Sequence, residues 1–219
     1  MAETPTLPLA DVSEMASLHR VFRNALNDVP RLVGPASGDA ERAELVGSYY
    51  DNVLKLLHVH HQSEDESLTP RLVARGTPDE VAEATRIAEQ HVGVLEDLDA
   101  AEAKIATFRA TPNVDNGATL AGSLAVLNAS LVAHLDEEEE RVMPIAAKYI
   151  NVAEWGEMPA HGLMNFTGDK IWLILGLIRE QMTDGQRANM DEHMPPPVAD
   201  FWAQSGEQLF TEYVGALRI

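Results

Sequence analysis

The feature that most constrains this chain is the spacing of four histidines about three predicted turns. Each neighbouring pair is centred on a turn signal, at Gly38-Asp39, Arg75-Gly76 and Pro112-Asn113. If the chain folds back at these points as successive helices, all four imidazoles reach one level of one bundle. The sequence therefore predicts an all-α, up-down-up-down four-helix bundle with a layer formed by His19, His60, His91 and His134.

Two of these histidines are followed one helical turn later by a glutamate. Glu64 follows His60, and Glu138 follows His134. Residues four apart in a helix face the same way, with about 6 Å between them, so each pair presents an imidazole and a carboxylate together. Two carboxylates that bridge and four imidazoles suit a pair of metal ions. Such ligands bind iron, manganese or zinc, and the pattern does not choose among these metals.

Helical periodicity indicates that the candidate ligands point inward. At about 100° per residue, each is the polar member of an otherwise apolar stripe; His91, for example, lies among Ala84, Ile87, Leu95 and Leu98. A buried carboxylate costs several kcal/mol unless it is paired or coordinated. No Lys or Arg shares the stripes of Glu64 and Glu138, so a bound metal is the economical interpretation.

Composition limits the classes of function. The chain has 219 residues, no cysteine and a formal net charge of −19, which excludes disulfides and argues against nucleic acids and anionic membrane surfaces as partners. The N-terminus lacks a signal-peptide pattern, and the apolar run at 171–178 is too short to span a bilayer. We therefore expect a cytoplasmic protein.

Turn and capping signals divide the chain into elements. Turns are expected at residues 35–39, at Gly76 and at residues 111–117, and Thr77 to Glu80 form a predicted capping box. Residues 1–150 are predicted to form the bundle, and residues 151–219 a C-terminal helical extension packed on it. Within the extension, glycines and a proline between 156 and 168 predict a broken stretch, followed by an apolar helix over about 169–182.

At these residues the chain resembles the hemerythrin-like (HHE cation-binding) family. The resemblance covers about residues 10–148 and lies in His19, in His60 to Asp65, in His91 and in His134 to Glu138. It implies a bundle that holds two non-haem iron ions, bridged by two carboxylates and an oxo or hydroxo group. Family members bind O2 or handle peroxide, nitric oxide or iron. Carried over residue by residue, the metal ligands are His19, His60, Glu64, His91, His134 and Glu138.

One position departs from the oxygen-carrying members of that family. They have a second histidine one turn after the first on the third helix, where this chain has Leu95. One iron then has an open coordination position or recruits another ligand. His61 is the candidate additional ligand, with Tyr50 as a weaker alternative. An open position favours turnover of peroxide over reversible storage of O2.

Three functions stay open at this point. The first is an oxidoreductase-like protein that decomposes peroxide in a catalase-like reaction, or reduces species derived from O2. The second is a module that binds, senses or stores O2 or iron without turnover, in which the extension would act on a protein partner. The third is a structural bundle whose polar layer is only hydrogen-bonded. Metal that binds only the folded state raises the melting temperature, which distinguishes the third function from the others.

Overall fold

The computed structural model describes residues 7–219. Across this range the chain is all-α, as predicted, and contains no β-strand, although Leu9 and Asn151 form an isolated bridge. The first part of the chain contains the helices α1 Glu14–Asn27, α2 Val29–Ala36, α3 Ala40–Ser63, α4 Thr69–Arg75, α5 Pro78–Ala110, α6 Val114–Glu137 and α7 Met143–Tyr149. The extension contains α8 Val152–Asn165, α9 Ile171–Gln181, α10 Asp184–His193, α11 Pro196–Phe201 and α12 Glu207–Leu217.

Local signals set the helix boundaries near the predicted positions. The Asp39 side chain accepts a hydrogen bond from the backbone N–H of Arg42 and begins α3. The predicted capping box between Thr77 and Glu80 is present and begins α5. The first turn is shorter than expected, because α2 continues through Pro35, and Gly38 reverses the chain at a φ of 97°.

The histidine layer lies between two apolar clusters. The larger cluster contains Phe22, Leu57, Val94 and Leu131, and the smaller one contains Met15, Leu68, Ile87 and Val142. In the sequence of each of the four histidine-bearing segments, the layer histidine falls between a residue of one cluster and a residue of the other. The layer is therefore closed off by hydrophobic packing on both sides along the bundle.

The extension shares the core of the bundle. Leu173, Ile174 and Leu177 of α9 are buried in the larger apolar cluster, together with Val214 and Leu217 of α12. The apolar helix predicted over about 169–182 is confirmed by α9.

The broken stretch predicted between 156 and 168 is wrong, because α8 runs unbroken through Pro159 to Asn165. A capping box formed by Asn151 and Glu154 fixes the start of this helix, and α8 packs against α3. These interactions outweigh the low helix propensity of the proline and the glycines.

One helical stretch of the described residues is long and apolar enough to cross a bilayer by composition alone. It spans residues 114–149 and its most apolar window has a mean hydropathy of 1.5. This stretch is longer than the apolar run at 171–178 considered from the sequence. Its inward face lies in the core and includes Leu120, Leu124 and Leu127. Helices buried in a protein core can be as long and as apolar as a membrane span.

Candidate metal centre

All six predicted ligands, and His61, converge in the interior of the protein. Each is at most 7% exposed. Their donor atoms form two groups, and within each group all donor atoms lie within 4.8 Å of one another. The first group contains His19, His60, Glu64 and Glu138, and the second contains His61, Glu64, His91 and His134. Glu64 belongs to both groups, so its carboxylate lies where two ion positions would meet.

The carboxylate of Glu64 faces one histidine of each group. Its Oε1 lies 3.4 Å from Nε2 of His60, and its Oε2 lies 3.6 Å from Nε2 of His91. Two donor atoms that each lie about 2.1 Å from one ion are about 3.0–3.4 Å apart. The distances around Glu64 match or slightly exceed this spacing. Each oxygen of Glu64 is therefore placed to bind a different ion.

Glu138 also lies between the two groups. Its Oε2 is 3.3 Å from Nε2 of His19 and 3.8 Å from Nε2 of His134. His19 comes from α1, and His134 comes from α6, one turn before Glu138. The two glutamates thus connect donors of all four ligand-bearing segments.

A π-helical turn begins at each of the two glutamates. The turns span Glu64–Leu68 and Glu138–Val142, and in each the glutamate carbonyl accepts a hydrogen bond from the N–H five residues later. A proline follows six residues after each glutamate, within the first turn of the next helix, where an absent N–H is tolerated. Single π-helical turns are frequent at functional sites, and the sequence analysis did not predict these two.

Three of the imidazoles are oriented through their outer nitrogen. Nδ1 of His19 lies 2.8 Å from Oε1 of Glu139, and Nδ1 of His91 lies 2.8 Å from Oδ1 of Asp65. A carboxylate accepts the Nδ1 proton, which leaves the lone pair of Nε2 directed at the centre. Nδ1 of His134 has the same arrangement with Oε1 of Gln90, at 3.0 Å.

Burial favours the neutral form of His60, His61 and His134 in the absence of metal. It is the main reason that the pKa values of His60 and His61 lie well below the usual value, and the neighbouring imidazoles lower them further. Burial also lowers the pKa of His134 to about 3. A neutral imidazole offers a free lone pair, which metal binding requires.

The carboxyl group of Glu64 has the opposite shift. Burial raises its pKa well above the usual value, and the charge of nearby Glu138 raises it further. A cation between these carboxylates would relieve both effects, since it would replace the lost hydration and screen the repulsion.

Several donor atoms of the centre are buried without a hydrogen-bond partner among residues 7–219. They are Nε2 of His19, His60, His61 and His134, both side-chain oxygens of Glu64, and Oε2 of Glu138. Buried polar atoms are nearly always satisfied in folded proteins. Unpartnered nitrogen and oxygen atoms that converge on two points fit bound metal ions and do not fit a hydrogen-bonded polar layer.

Tyr50 and the remaining three histidines lie outside these two groups. The hydroxyl of Tyr50 donates to the carbonyl of Ala25, so the alternative that Tyr50 is a ligand is wrong. His58 is exposed on α3, as its helical position indicates, and His193 is exposed on α10. His161 contacts Ser63 and Glu66, beside the first π-helical turn.

Two partners of the histidines, Glu139 and Gln90, were not predicted from the sequence. Glu139 directly follows the candidate ligand Glu138, and Gln90 directly precedes the candidate ligand His91. Proximity to a candidate ligand was the only available signal, because the hydrogen bonds join different helices.

Comparison with known proteins agrees with this geometry. No curated protein and no solved structure matches the chain. The family model described as the hemerythrin HHE cation binding domain matches residues 10–146, which include all the donors of both groups. The match covers more than half of the chain, and this protein therefore belongs to the hemerythrin HHE cation-binding domain family.

Proposed function

We propose that this protein holds two non-haem iron ions, bridged by Glu64, Glu138 and an oxo or hydroxo group, and that it binds O2 or peroxide there. Its role would be the handling of peroxide during oxidative stress. The observation that carries the proposal is the convergence of buried, unpartnered donor atoms into two groups that share Glu64. A layer held only by hydrogen bonds would satisfy those atoms.

The donor set supports iron. Imidazole and carboxylate bind iron, manganese and zinc, and of these three metals zinc has no redox chemistry. Glu64 and Glu138 would each contribute one negative charge, and the imidazoles would contribute none. The cations would therefore be only partly neutralised, which favours an additional anionic ligand such as peroxide.

A bound iron pair supplies two-electron redox chemistry. In peroxide decomposition, one peroxide loses two electrons and two protons and leaves as O2. A second peroxide takes up those electrons and protons and leaves as two waters. The protein contributes fixed ligands, imidazole orientation through Glu139, Asp65 and Gln90, and two apolar clusters that exclude water.

A binding or sensing module for O2 or iron, without turnover, is the second candidate function. The position of His61 favours it. This imidazole joins the donor group of His91 and His134, so the absence of a histidine at position 95 does not by itself leave an ion short of ligands. The missing histidine then leaves no open coordination position that would favour turnover.

Oxygen release from peroxide separates the two candidates. Iron-reconstituted protein would be mixed with hydrogen peroxide, and O2 would be measured with an electrode. Metal-free protein and an equal concentration of free iron serve as controls. We expect sustained release of O2, one molecule for two peroxides consumed. A spectral change that reverses on removal of the ligand, without release of O2, would contradict peroxide turnover and support the binding module.

A further inference from the structure

We propose that His61 is a metal ligand, and that it replaces on α3 the imidazole that position 95 on α5 lacks. This inference rests on the proposed dinuclear centre and names the donor that completes one of its two ion positions. His61 would be the third imidazole of the ion bound by His91 and His134.

The burial of His61 sets it apart from another histidine of the same helix. His61 is 6% exposed, and its Nε2 has no hydrogen-bond partner within the described part of the chain. His58, three residues earlier, is exposed. The two side chains share a helix and a residue type, and only His61 is turned into the centre.

The contacts of His61 place it in one donor group. Its ring stacks on the ring of His91, with centroids 4.3 Å apart and an interplanar angle of 10°. It meets the ring of His134 edge-on at 5.0 Å. Its donor nitrogen lies within 4.8 Å of the donor atoms of Glu64, His91 and His134. Three imidazoles and one carboxylate therefore face one point.

Packing alone does not account for a histidine at this position. A buried polar group without a partner costs about 1–3 kcal/mol. The corresponding position of the other His-x3-Glu segment is Leu135, which is fully buried in the apolar cluster. A leucine thus fits next to a layer histidine, and the polar ring of His61 requires another reason.

The two ion positions become unequal under this assignment. Besides the two bridging glutamates, one would have His61, His91 and His134, and the other would have His19 and His60. Leu95 lies one turn after His91 and is 37% exposed, so its predicted place in the inward stripe of α5 is wrong; Val94 is buried there instead. The second imidazole that α5 lacks at that turn is thus supplied from α3, and the two ions differ by one imidazole.

The test compares His61→Ala with His58→Ala in the full chain. Each variant and the unaltered protein would be stripped of metal, reconstituted with ferrous iron under anaerobic conditions, desalted and analysed for iron. We expect two irons per chain in the unaltered protein and in His58→Ala, and one in His61→Ala. Two irons retained in His61→Ala with unchanged affinity would overturn the inference. Absence of iron from the unaltered protein would instead overturn the proposed function.

Two further variants guard against loss of the fold. His61→Leu copies the arrangement at Leu135, should keep the melting temperature of the metal-free protein, and should bind one iron. The double variant His61→Ala with Leu95→His restores an imidazole on α5 and is expected to bind two irons again. Failure of this variant to regain the second iron, while Leu95→His alone holds two, would contradict the replacement of one position by the other.

Discussion

The two π-helical turns, Glu64–Leu68 and Glu138–Val142, have the same local design in different surroundings. Each starts at a glutamate that follows a layer histidine by four residues, and each precedes a proline-containing helix. The residue after the histidine differs, because it is His61 in the first segment and Leu135 in the second. The same backbone turn therefore places both carboxylates. The residue after each layer histidine makes the two ion positions unequal.

The supports of the two turns also differ. The first turn lies against α8 of the extension, where His161 contacts Ser63 at 2.8 Å and Glu66 at 2.9 Å. The second turn is preceded by Asp136, whose carboxylate pairs with Arg23 of α1 at 2.8 Å. The first turn is thus tied to the extension and the second to α1. Removing residues 151–219 would remove the contacts of α8 with the first turn and with α3.

Loss of each bridging glutamate gives the largest expected difference between the turns. Glu64→Ala removes a donor from both groups, so we expect no stable iron. Glu138→Ala also removes a bridge, but this carboxylate lies closer to His19 (3.3 Å) than to His134 (3.8 Å), so we expect loss of the iron bound by His19 and His60 and retention of at most one. Iron analysis after reconstitution checks both results, with exposed Glu140→Ala as the matched control. Retention of both irons in either variant would contradict the bridging role of that glutamate.

Variants of the residues that bind Nδ1 of the histidines also compare the two ion positions, with a smaller expected loss of metal affinity. Asp65→Ala removes the acceptor of His91, and Glu139→Ala removes the acceptor of His19. Loss of such partners lowers metal affinity by about 10- to 100-fold. Titration with a competing chelator should show weaker binding of a different iron in each variant. Equal weakening of both irons by both variants would contradict the separate assignment of the partners.

Metal affinity should increase with pH. The pKa of Glu64 is raised in the metal-free protein, so below that pKa the carboxyl group must release a proton before it binds metal. The affinity then rises by up to about tenfold per pH unit for each proton released, and the rise ends above the raised pKa. Calorimetric titration in buffers of different ionisation enthalpy measures the protons. An affinity that is independent of pH would show that Glu64 is already ionised.

The smallest expected effect concerns the tie between the first turn and the extension. His161→Ala removes the contacts with Ser63 and Glu66, and such hydrogen bonds contribute about 1 kcal/mol each. We expect a decrease of about 1–2 kcal/mol in the free energy of unfolding of the metal-free protein, measured in urea. Exposed His193→Ala serves as the control. Equal stability of the two variants would show that His161 does not hold α8 to the turn.

Spacing in the sequence was enough to identify the layer, because a four-residue interval fixes the relative direction of two side chains in any helix. His60 with Glu64 and His134 with Glu138 were predicted from that rule, and both pairs lie in the centre. The π-helical turns could not be predicted in this way, since they depend on hydrogen bonds five residues apart. Pro70 and Pro144, six residues after the two glutamates, predict that the regular helix is disturbed but not that the disturbance is a π-helical turn.

Contacts between helices were the other limit of the sequence analysis. Glu139 lies at the side of the inward stripe of α6, and its role depends on where α1 places His19. Likewise, the position of His61 on the flank of α3 was visible in the sequence, whereas its stacking on His91 depends on the packing of α5. The roles of residues at the edge of an apolar stripe thus depend on contacts between helices.

Metal analysis of the unaltered protein, with a visible spectrum and a thermal melt, tests the central claim most directly. The account predicts two irons per chain, and absorption from an oxo-bridged pair near the ultraviolet edge. Free iron at one hundred times its dissociation constant would stabilise the fold by about 2.7 kcal/mol for each ion bound, which corresponds to an increase of about 5–10 °C in Tm per ion. A protein that binds no metal and melts at an unchanged temperature after reconstitution would contradict the account.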